Sequence, residues 1–158
     1  MPADPSSPDR VTSGYRKGEE TRARILDAAL VEFGLNGFAV ATTRQIADRA
    51  GVNLPALTYY FGGKEGLYLA CARTIVAGYL NGVGAVAEDV AGGLAQPMAP
   101  DAAAAALRQL MAALARFLLS PREDAHRTLF VQREMASPGP AFEILYAELW
   151  QPGIGLAA

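Results

Sequence analysis

The residues best suited to chemistry lie between Asn53 and Lys64, where tyrosines, small apolar residues and a lysine stand close together. Tyr59 and Tyr60 each offer a flat apolar ring and one hydroxyl, a combination that suits contact with a sugar–phosphate backbone. Lys64 opens the following helix, where a cation opposes the helix dipole and a bound phosphate would be stabilised. We therefore expect these three side chains to contact phosphate groups of a nucleic acid.

A second group of candidate contacts lies in the first turn of the preceding helix. The guanidinium of Arg44 can donate two parallel hydrogen bonds to the edge of a guanine. The hydroxyls of Thr42 and Thr43 can each hydrogen-bond a phosphate. The alternatives are structural: Arg44 forms a surface ion pair, Lys64 is an ordinary solvated lysine, and the tyrosines pack under the next helix.

Two short helices joined by a tight turn are predicted to position these groups. Thr42 and Gln45 have the spacing of a capping box, and Gly51 marks the end of the helix that they begin. Asn53 then caps a second short helix, which has Pro55 in its first turn and ends at two glycines. This pattern predicts a helix-turn-helix whose second helix enters the major groove.

A helix of about eight residues is unstable alone and must be anchored by packing. Leu57 and Phe61 are four residues apart and are predicted to dock on the preceding helices. The other side chains of this helix cannot all face inward, so several are expected to be exposed. Together with the cap residue they form the predicted contact set: Asn53, Leu54, Pro55, Ala56, Thr58, Tyr59 and Tyr60.

A longer helix is predicted in front of this pair, over residues 19–35. It should end at the Asn36-Gly37 dipeptide, and Glu32 is expected to lie on its solvent side. Its inward face is an apolar stripe at helical spacing, consisting of Ile25, Leu26, Ala29, Leu30 and Phe33.

The rest of the chain has helical periodicity and no useful strand alternation. Four further helices are predicted at about 64–90, 101–119, 122–136 and 141–150, with a Pro/Gly-rich loop at 91–100. Three glycines weaken the first of these helices and allow it to bend. The second has an apolar face that is predicted to point inward, made of Leu107, Leu110, Met111, Leu114, Phe117 and Leu118.

Composition narrows the possible functions. The formal net charge of the chain is −2, but residues 16–64 contain seven basic and five acidic residues, which weakly favours an anionic partner. Cys71 is the only cysteine and His126 the only histidine, so no internal disulfide and no metal site are expected. No nucleophile motif, phosphate-binding glycine loop or catalytic carboxylate pair indicates an enzyme, and no cofactor is expected.

The chain is expected to be cytoplasmic. Its first 15 residues are rich in Pro and Ser and lack the apolar segment of a signal peptide, so we expect a disordered arm over residues 1–15. No run reaches the roughly 18 uninterrupted apolar residues that a membrane-spanning helix requires.

Residues 21–71 resemble the DNA-binding domain of TetR-family transcriptional repressors. The matching features, which follow one another in the family's order, are the apolar stripe of the first helix, Gly37-Phe38, Thr42, Ile46, Ala47, Ala50-Gly51-Val52, Tyr60-Phe61, Lys64 and Leu67. The resemblance implies an all-α protein with a three-helix DNA-binding domain at 16–64. It also implies a helical domain at 65–158 that binds a small-molecule effector and forms a homodimer on a palindromic operator.

The family also implies roles for individual residues. Arg44 matches a base-reading arginine, and Thr42, Tyr60 and Lys64 match contacts to the DNA backbone. Leu54 and Pro55 match apolar contacts to bases, whereas Thr58 departs from the tyrosine that many members have there.

The C-terminal half adds a weaker resemblance and a departure. Residues 130–152, together with residues 51–68 of the N-terminal half, resemble the CecR-like subgroup. Family members continue with two more helices that form the dimer interface, so the domain at 65–158 is expected to lack its last helices. The alternative is therefore a truncated helical fragment or interaction module without specific operator binding.

An effector site is expected among the helices after residue 64, because a pocket between them would be lined by apolar side chains with a few polar groups. Helix 64–90 would link this pocket to the DNA-binding domain, and an effector that favours one of its positions would release the operator. The candidate lining residues, for which ordinary core packing is the alternative, are Met111, Phe117, His126 and Phe130.

Overall fold

The computed structural model describes the backbone of residues 8–94, 97, 99–119 and 125–151, and every regular element in these ranges is helical. This confirms the all-α prediction for the described part of the chain. Residues 1–7 of the predicted arm and the predicted helix start at 122–124 lie outside it. The elements are α1 (Pro8–Val40), α2 (Thr43–Ala50), α3 (Leu54–Phe61), α4 (Lys64–Tyr79), a π-helical segment (Leu80–Gly84), α5 (Ala85–Leu94), α6 (Pro100–Leu119), α7 (Ala125–Ala136), α8 (Phe142–Leu145) and a second π-helical segment (Tyr146–Trp150).

Helix α1 is longer than predicted. It begins at Pro8, so the prediction of a disordered arm is wrong for residues 8–15. Proline suits the start of a helix because its ring fixes φ and its missing N–H is not needed there. Helical geometry breaks at Gly37 (φ 75°, ψ 172°), where the sequence predicts the end, and one more short turn reaches Val40.

Both short helices have the caps that the sequence predicts. The Thr42 hydroxyl accepts a hydrogen bond from the Gln45 N–H at 3.2 Å, and the Gln45 side chain accepts one from the Thr42 N–H at 2.9 Å. Asn53 accepts a hydrogen bond from the Ala56 N–H at 3.0 Å. Helix α2 ends at Gly51, which is in the left-handed conformation with φ 64°.

The helix-turn-helix unit, defined here as α1–α3, shares one core with α4. The apolar stripe of α1 is buried, as are Ile46 and Ala50 of α2. Leu57 is fully buried and Phe61 is half-buried against the same core, so both predicted anchors of α3 pack inward. The short helix α3 is thereby held in one orientation.

The prediction for Glu32 is wrong. Periodicity places it on the solvent side of α1, but it is buried, and Arg49 of α2 lies with Nε 2.7 Å from its Oε1. Asn36 donates a hydrogen bond to the other carboxylate oxygen at 2.9 Å. Because a buried carboxylate needs such partners, the burial of Glu32 depends on α2 lying beside α1.

Glycines set the turn between α3 and α4. Gly62 and Gly63 have φ of 73° and 125°, a region that favours glycine. A Cβ on Gly66 would lie 1.9 Å from the carbonyl oxygen of Phe61, so the first turn of α4 is in backbone contact with the end of α3. This contact fixes where Lys64 stands relative to α3.

Helix α4, the first π-helical segment and α5 form one continuous run from Lys64 to Leu94, slightly longer than the predicted 64–90. The run departs from α-helical geometry over Leu80–Gly84, which contains Gly82 and Gly84, two of the three glycines predicted to weaken it. π-Helical turns inside α-helices are uncommon and often occur at functional positions.

By length and composition alone, residues 64–93 are the one helix in the described ranges that could cross a membrane. The core helix of a soluble protein passes the same test. This helix does supply core residues: Leu67, Tyr68, Cys71, Ile75 and Val76 are buried.

The prediction for the inward face of α6 is partly wrong. Helix α6 packs against α5 and the first π-helical segment, but Leu107 and Met111 are 58% and 56% exposed, while Ala113 is buried. Periodicity identifies the apolar side of a helix, whereas burial requires a neighbour to cover it. The side chains of Phe117 and Leu118 lie outside the described set.

Helix α7 joins the C-terminal half to α1. The Nε of Arg133 donates a hydrogen bond to the carbonyl of Gly34 at 2.8 Å, and its Nη2 donates to the carbonyl of Leu35. A Cβ on Gly34 would lie 2.4 Å from the carbonyl oxygen of His126, so the two helices are in close contact there. These contacts place a cation at the C-terminal end of the straight part of α1, where the helix dipole favours positive charge.

Candidate nucleic-acid interface and adjoining cavity

Helix α3 presents one exposed stripe. Leu54, Pro55, Thr58 and Tyr59 are all exposed, and their spacing puts them on one face of the helix. Leu57 points the other way and is fully buried. All four residues belong to the predicted contact set, whereas Ala56 and Tyr60 of the same set are half-buried.

The two tyrosines have different surroundings. Tyr59 is 84% exposed, whereas Tyr60 is half-buried, and their rings meet edge to face with centroids 5.0 Å apart. A Cβ on Gly18 would lie 3.5 Å from the Tyr60 hydroxyl, so Tyr60 reaches α1. Tyr60 therefore helps to anchor α3, whereas the ring of Tyr59 is accessible from solvent.

Arg22 joins this cluster. Its guanidinium carbon lies 5.3 Å from the ring centroid of Phe61, within the range of a cation–π interaction. Helical periodicity places Arg22 on the polar side of α1, and it cannot show that Phe61 packs across from it. The contact places a basic group of α1 beside the end of α3.

The ammonium of Lys64 faces the corner at the end of α1. It lies 4.8 Å from the ring centroid of Phe38 and 3.4 Å from the carbonyl oxygen of Ala39. No side chain caps the start of α4, so the first amides of that helix have no side-chain acceptor. A phosphate at this point would meet both the amides and the lysine.

The remaining predicted contacts, in and around α2 and at the start of α3, differ in whether their side chains already have a hydrogen-bond partner. Arg44 is exposed, Thr43 is half-buried, and neither makes an ion pair or side-chain hydrogen bond among the contacts of the described residues. The Thr42 hydroxyl is already engaged, since it accepts from the Gln45 N–H and lies 2.7 Å from the Gln45 Oε1. Asn53 is likewise engaged as the cap of α3, and Ala56 is half-buried.

A cavity of about 320 Å³ lies between α4, α6, α7 and the second π-helical segment. Its wall is mainly apolar, and three polar residues of α7 also line it. The apolar and aromatic side chains include Ile75, Tyr79, Leu114, Val131, Met135 and Trp150, and the polar ones are Arg127, Thr128 and Gln132.

Three of the four candidate ligand residues from the sequence are not among the described residues that line this cavity. Met111 is exposed on α6, Phe130 is fully buried beside the ring of Tyr68, and His126 lies at the contact with α1. The side chain of Phe117 lies outside the described residues. Helical periodicity points to apolar faces, but only the packing of four elements shows where they leave a gap.

Among the described residues, no group of three or more His, Cys, Asp and Glu could hold a metal ion. Nδ1 of His126 is buried without a hydrogen-bond partner in the described structure. His126 therefore stands apart from any acidic or cysteine cluster in this part of the chain.

A sequence model described as "Bacterial regulatory proteins, tetR family" matches residues 25–71. Residues 25–71 are a TetR-family domain. The match covers the whole apolar stripe of α1, all of α2 and α3, and the first turns of α4, so the exposed stripe of α3 belongs to this domain.

Several named transcriptional regulators are similar to this chain over different lengths. The HTH-type transcriptional dual regulator CecR of Shigella flexneri is 39% identical over 139 residues, which cover 86% of this chain and 60% of CecR. The regulator RutR of Escherichia coli K12 is 45% identical over 67 residues, or 42% of this chain and 32% of RutR. The activator FasR of Mycolicibacterium smegmatis is 38% identical over 79 residues, or 47% and 36% of the two chains.

The similarity to CecR extends beyond the TetR-family domain into the helices around the cavity. This chain spans 60% of the length of CecR. The family and these relatives are transcriptional regulators rather than enzymes, in agreement with the sequence prediction that the chain is not an enzyme.

Proposed function

We propose that this chain is a transcriptional regulator that binds double-stranded DNA by placing α3 in the major groove. The observation that carries the proposal is the exposed stripe on α3, opposite the fully buried Leu57. A tyrosine that is 84% exposed on a capped and anchored helix is ready to bind without further ordering, which limits the entropy lost on binding.

The proposed contacts fall into two kinds. Base edges are contacted by Arg44 through a bidentate hydrogen bond and by Leu54 and Pro55 through apolar contacts. The DNA backbone is contacted by side-chain hydroxyls and by the amine of Lys64. The cap residues Thr42 and Asn53 contact it through side-chain donors or acceptors that the capping hydrogen bonds do not use. These backbone residues are Thr42, Thr43, Asn53, Thr58, Tyr59, Tyr60 and Lys64, with Ala56 lying against the groove wall.

The cavity is the proposed effector site. Two helices that line it also reach the TetR-family domain: α4 begins at Lys64 beside α3, and α7 hydrogen-bonds to α1 through Arg133. An effector with different affinities for two positions of these helices would change the position of α3 by linkage. We propose that effector binding releases the DNA.

A palindromic operator requires two copies of the helix-turn-helix unit, so we also propose that the chain acts as a homodimer. Leu107 and Met111 support this, because they form an exposed apolar pair four residues apart on α6. We place the protein in the cytoplasm with its DNA target. The sign of regulation is proposed to be repression, although relatives include a protein named as an activator and one named as a dual regulator.

The direct test is a fluorescence-anisotropy titration of the purified chain. The target is double-stranded DNA from upstream of its own gene, the control is random DNA of equal length, and both are measured at two salt concentrations. Selective binding that survives at the higher salt concentration is expected. Equal and weak binding to both DNAs that is lost at the higher salt concentration would instead favour a helical fragment or interaction module without operator specificity.

Sedimentation of the same sample tests the dimer separately. A dimer at the concentrations used for DNA binding is expected. A strict monomer would contradict the homodimer, and the Leu107→Glu and Met111→Glu variants should weaken association if α6 forms the contact.

A further inference from the structure

We propose that the cavity binds a small apolar molecule that carries one anionic group, such as a carboxylate, and that Arg127 recognises this group. The inference rests on the proposed effector site and specifies its ligand class. The apolar wall sets the first requirement, because Ile75, Leu114, Val131 and Leu149 offer no hydrogen bonds to a polar ligand body. A ligand of about 320 Å³ or less fits this cavity.

The charge of the wall sets the second requirement. Among the described residues that line the cavity, Arg127 is the only one with a full charge at neutral pH, and none is acidic. A guanidinium has five N–H donors in a planar fork, a geometry that suits a bidentate contact with a carboxylate. Arg127 also has an interaction within the protein. Thr128 and Gln132 of the same helix add polar groups beside it.

The wall also contains a built-in reporter. Trp150 lines the cavity and is the only tryptophan of the chain. A ligand that enters the cavity should therefore change the tryptophan fluorescence directly, and the signal has one source. Tyr79 and Trp150 provide aromatic surface for the apolar part of the ligand.

The experiment compares three probes that share one alkyl chain and differ only in the head group: octanoate, octanamide and octylammonium. Each is titrated into the full chain at pH 7.5 with Trp150 fluorescence as the readout and calorimetry as a check. We expect octanoate to bind about tenfold more tightly than octanamide, as a charge-assisted hydrogen bond would give, and octylammonium to bind more weakly than octanamide.

The Arg127→Gln variant should lower octanoate affinity about tenfold and leave octanamide affinity within about twofold. The matched control is Arg108→Gln, which removes an exposed arginine of α6 that is not among the described residues lining the cavity. This variant should leave the ratio of octanoate affinity to octanamide affinity unchanged. Arg127→Lys keeps the charge and should retain part of the preference, and thermal unfolding of each variant verifies that it is folded.

Three results would overturn the proposal. The first is that the wild type binds octanoate and octanamide with equal affinity. The second is that Arg127→Gln lowers the affinity for these two probes by the same factor, and the third is that no probe binds. These measurements are made without DNA, so a negative result would contradict only the proposed ligand. The proposed DNA binding is tested separately by the anisotropy titration, which contains none of the three probes.

Discussion

The hydroxyl of Tyr68 donates a 2.7 Å hydrogen bond to the carboxylate of Glu134, a residue 66 positions further along the chain. Both side chains are buried, and the backbone N–H of Gly139 donates to the second carboxylate oxygen at 3.0 Å. Burial, followed by the hydrogen bond to Glu134, raises the pKa of Tyr68, so the phenol remains a neutral donor at any physiological pH. The pair joins α4 to α7, the two helices that we propose to connect the cavity with the DNA-binding domain.

Replacing Tyr68 by Phe should lower the free energy of unfolding by about 1–3 kcal/mol, because the Glu134 carboxylate remains buried with one donor fewer. Denaturant unfolding at pH 7 measures the change. Tyr59→Phe is the matched control, since that ring is exposed, and it should stay within about 0.5 kcal/mol of the wild type. Equal stability of the two variants would mean that the hydrogen bond contributes little.

Gly66→Ala should be strongly destabilising. The new methyl group would lie 1.9 Å from the carbonyl oxygen of Phe61, so the turn between α3 and α4 would have to open. We expect a loss of more than about 2 kcal/mol, beyond the range of most surface substitutions. Gly92→Ala serves as the control: a Cβ there meets no atom within 4 Å, and helix propensity predicts a gain of up to about 1 kcal/mol.

Arg44→Ala should relax base choice more than it reduces overall affinity. Losing a bidentate contact to a guanine is expected to cost about 1–3 kcal/mol on the preferred DNA and little on DNA with another base at that position. Selection of binding sites from a random library, followed by anisotropy on single-base variants, measures this. An unchanged base preference would remove Arg44 from the set of base contacts.

Lys64→Ala should weaken binding to all sequences by a similar factor. A phosphate contact contributes through counterion release, so the slope of log K against log salt should become shallower by about one unit per monomer. Affinity measured at four or more salt concentrations gives the slope. Because the Lys64 ammonium also contacts the ring of Phe38, thermal unfolding should be run alongside. A stability loss with an unchanged salt slope would indicate a purely structural role.

Alkaline pH should destabilise the protein through Cys71. Burial, with a smaller effect from Asp27, raises the pKa of this thiol. In the unfolded chain a thiol ionises near about pH 8.5, so above that pH the unfolded state releases a proton that the folded state retains. The contribution of the buried thiol to the free energy of unfolding is therefore fully present below about pH 8. It is lost as the pH rises, by up to about 1.4 kcal/mol per pH unit.

Denaturant unfolding between pH 7.5 and pH 10 tests this slope. Cys71→Ala has a lower absolute stability because it removes buried volume, but its stability should fall less steeply between pH 8.5 and pH 10. Equal slopes in the two proteins would show that the thiol does not contribute. Tyr68, whose pKa is raised as well, adds loss in the same direction only at higher pH.

Much of the helix-turn-helix follows from the sequence because it depends on local interactions. The capping box of Thr42 and Gln45 and the cap at Asn53 join residues three positions apart. The stop at Gly51 depends on a left-handed conformation that glycine adopts easily. The apolar stripe of α1 follows from its 3.6-residue period, and it also contributes to the resemblance to the TetR family.

Features that depend on contacts between distant parts of the chain could be determined only from the tertiary structure. Glu32 is buried because Arg49, 17 residues away, lies beside it, and Met111 is exposed because no described element covers that side of α6. The cavity exists where four elements leave a gap, so no periodicity in one helix could locate it. A local pattern records which side of an element is apolar, and only the assembled elements determine which of those sides meet.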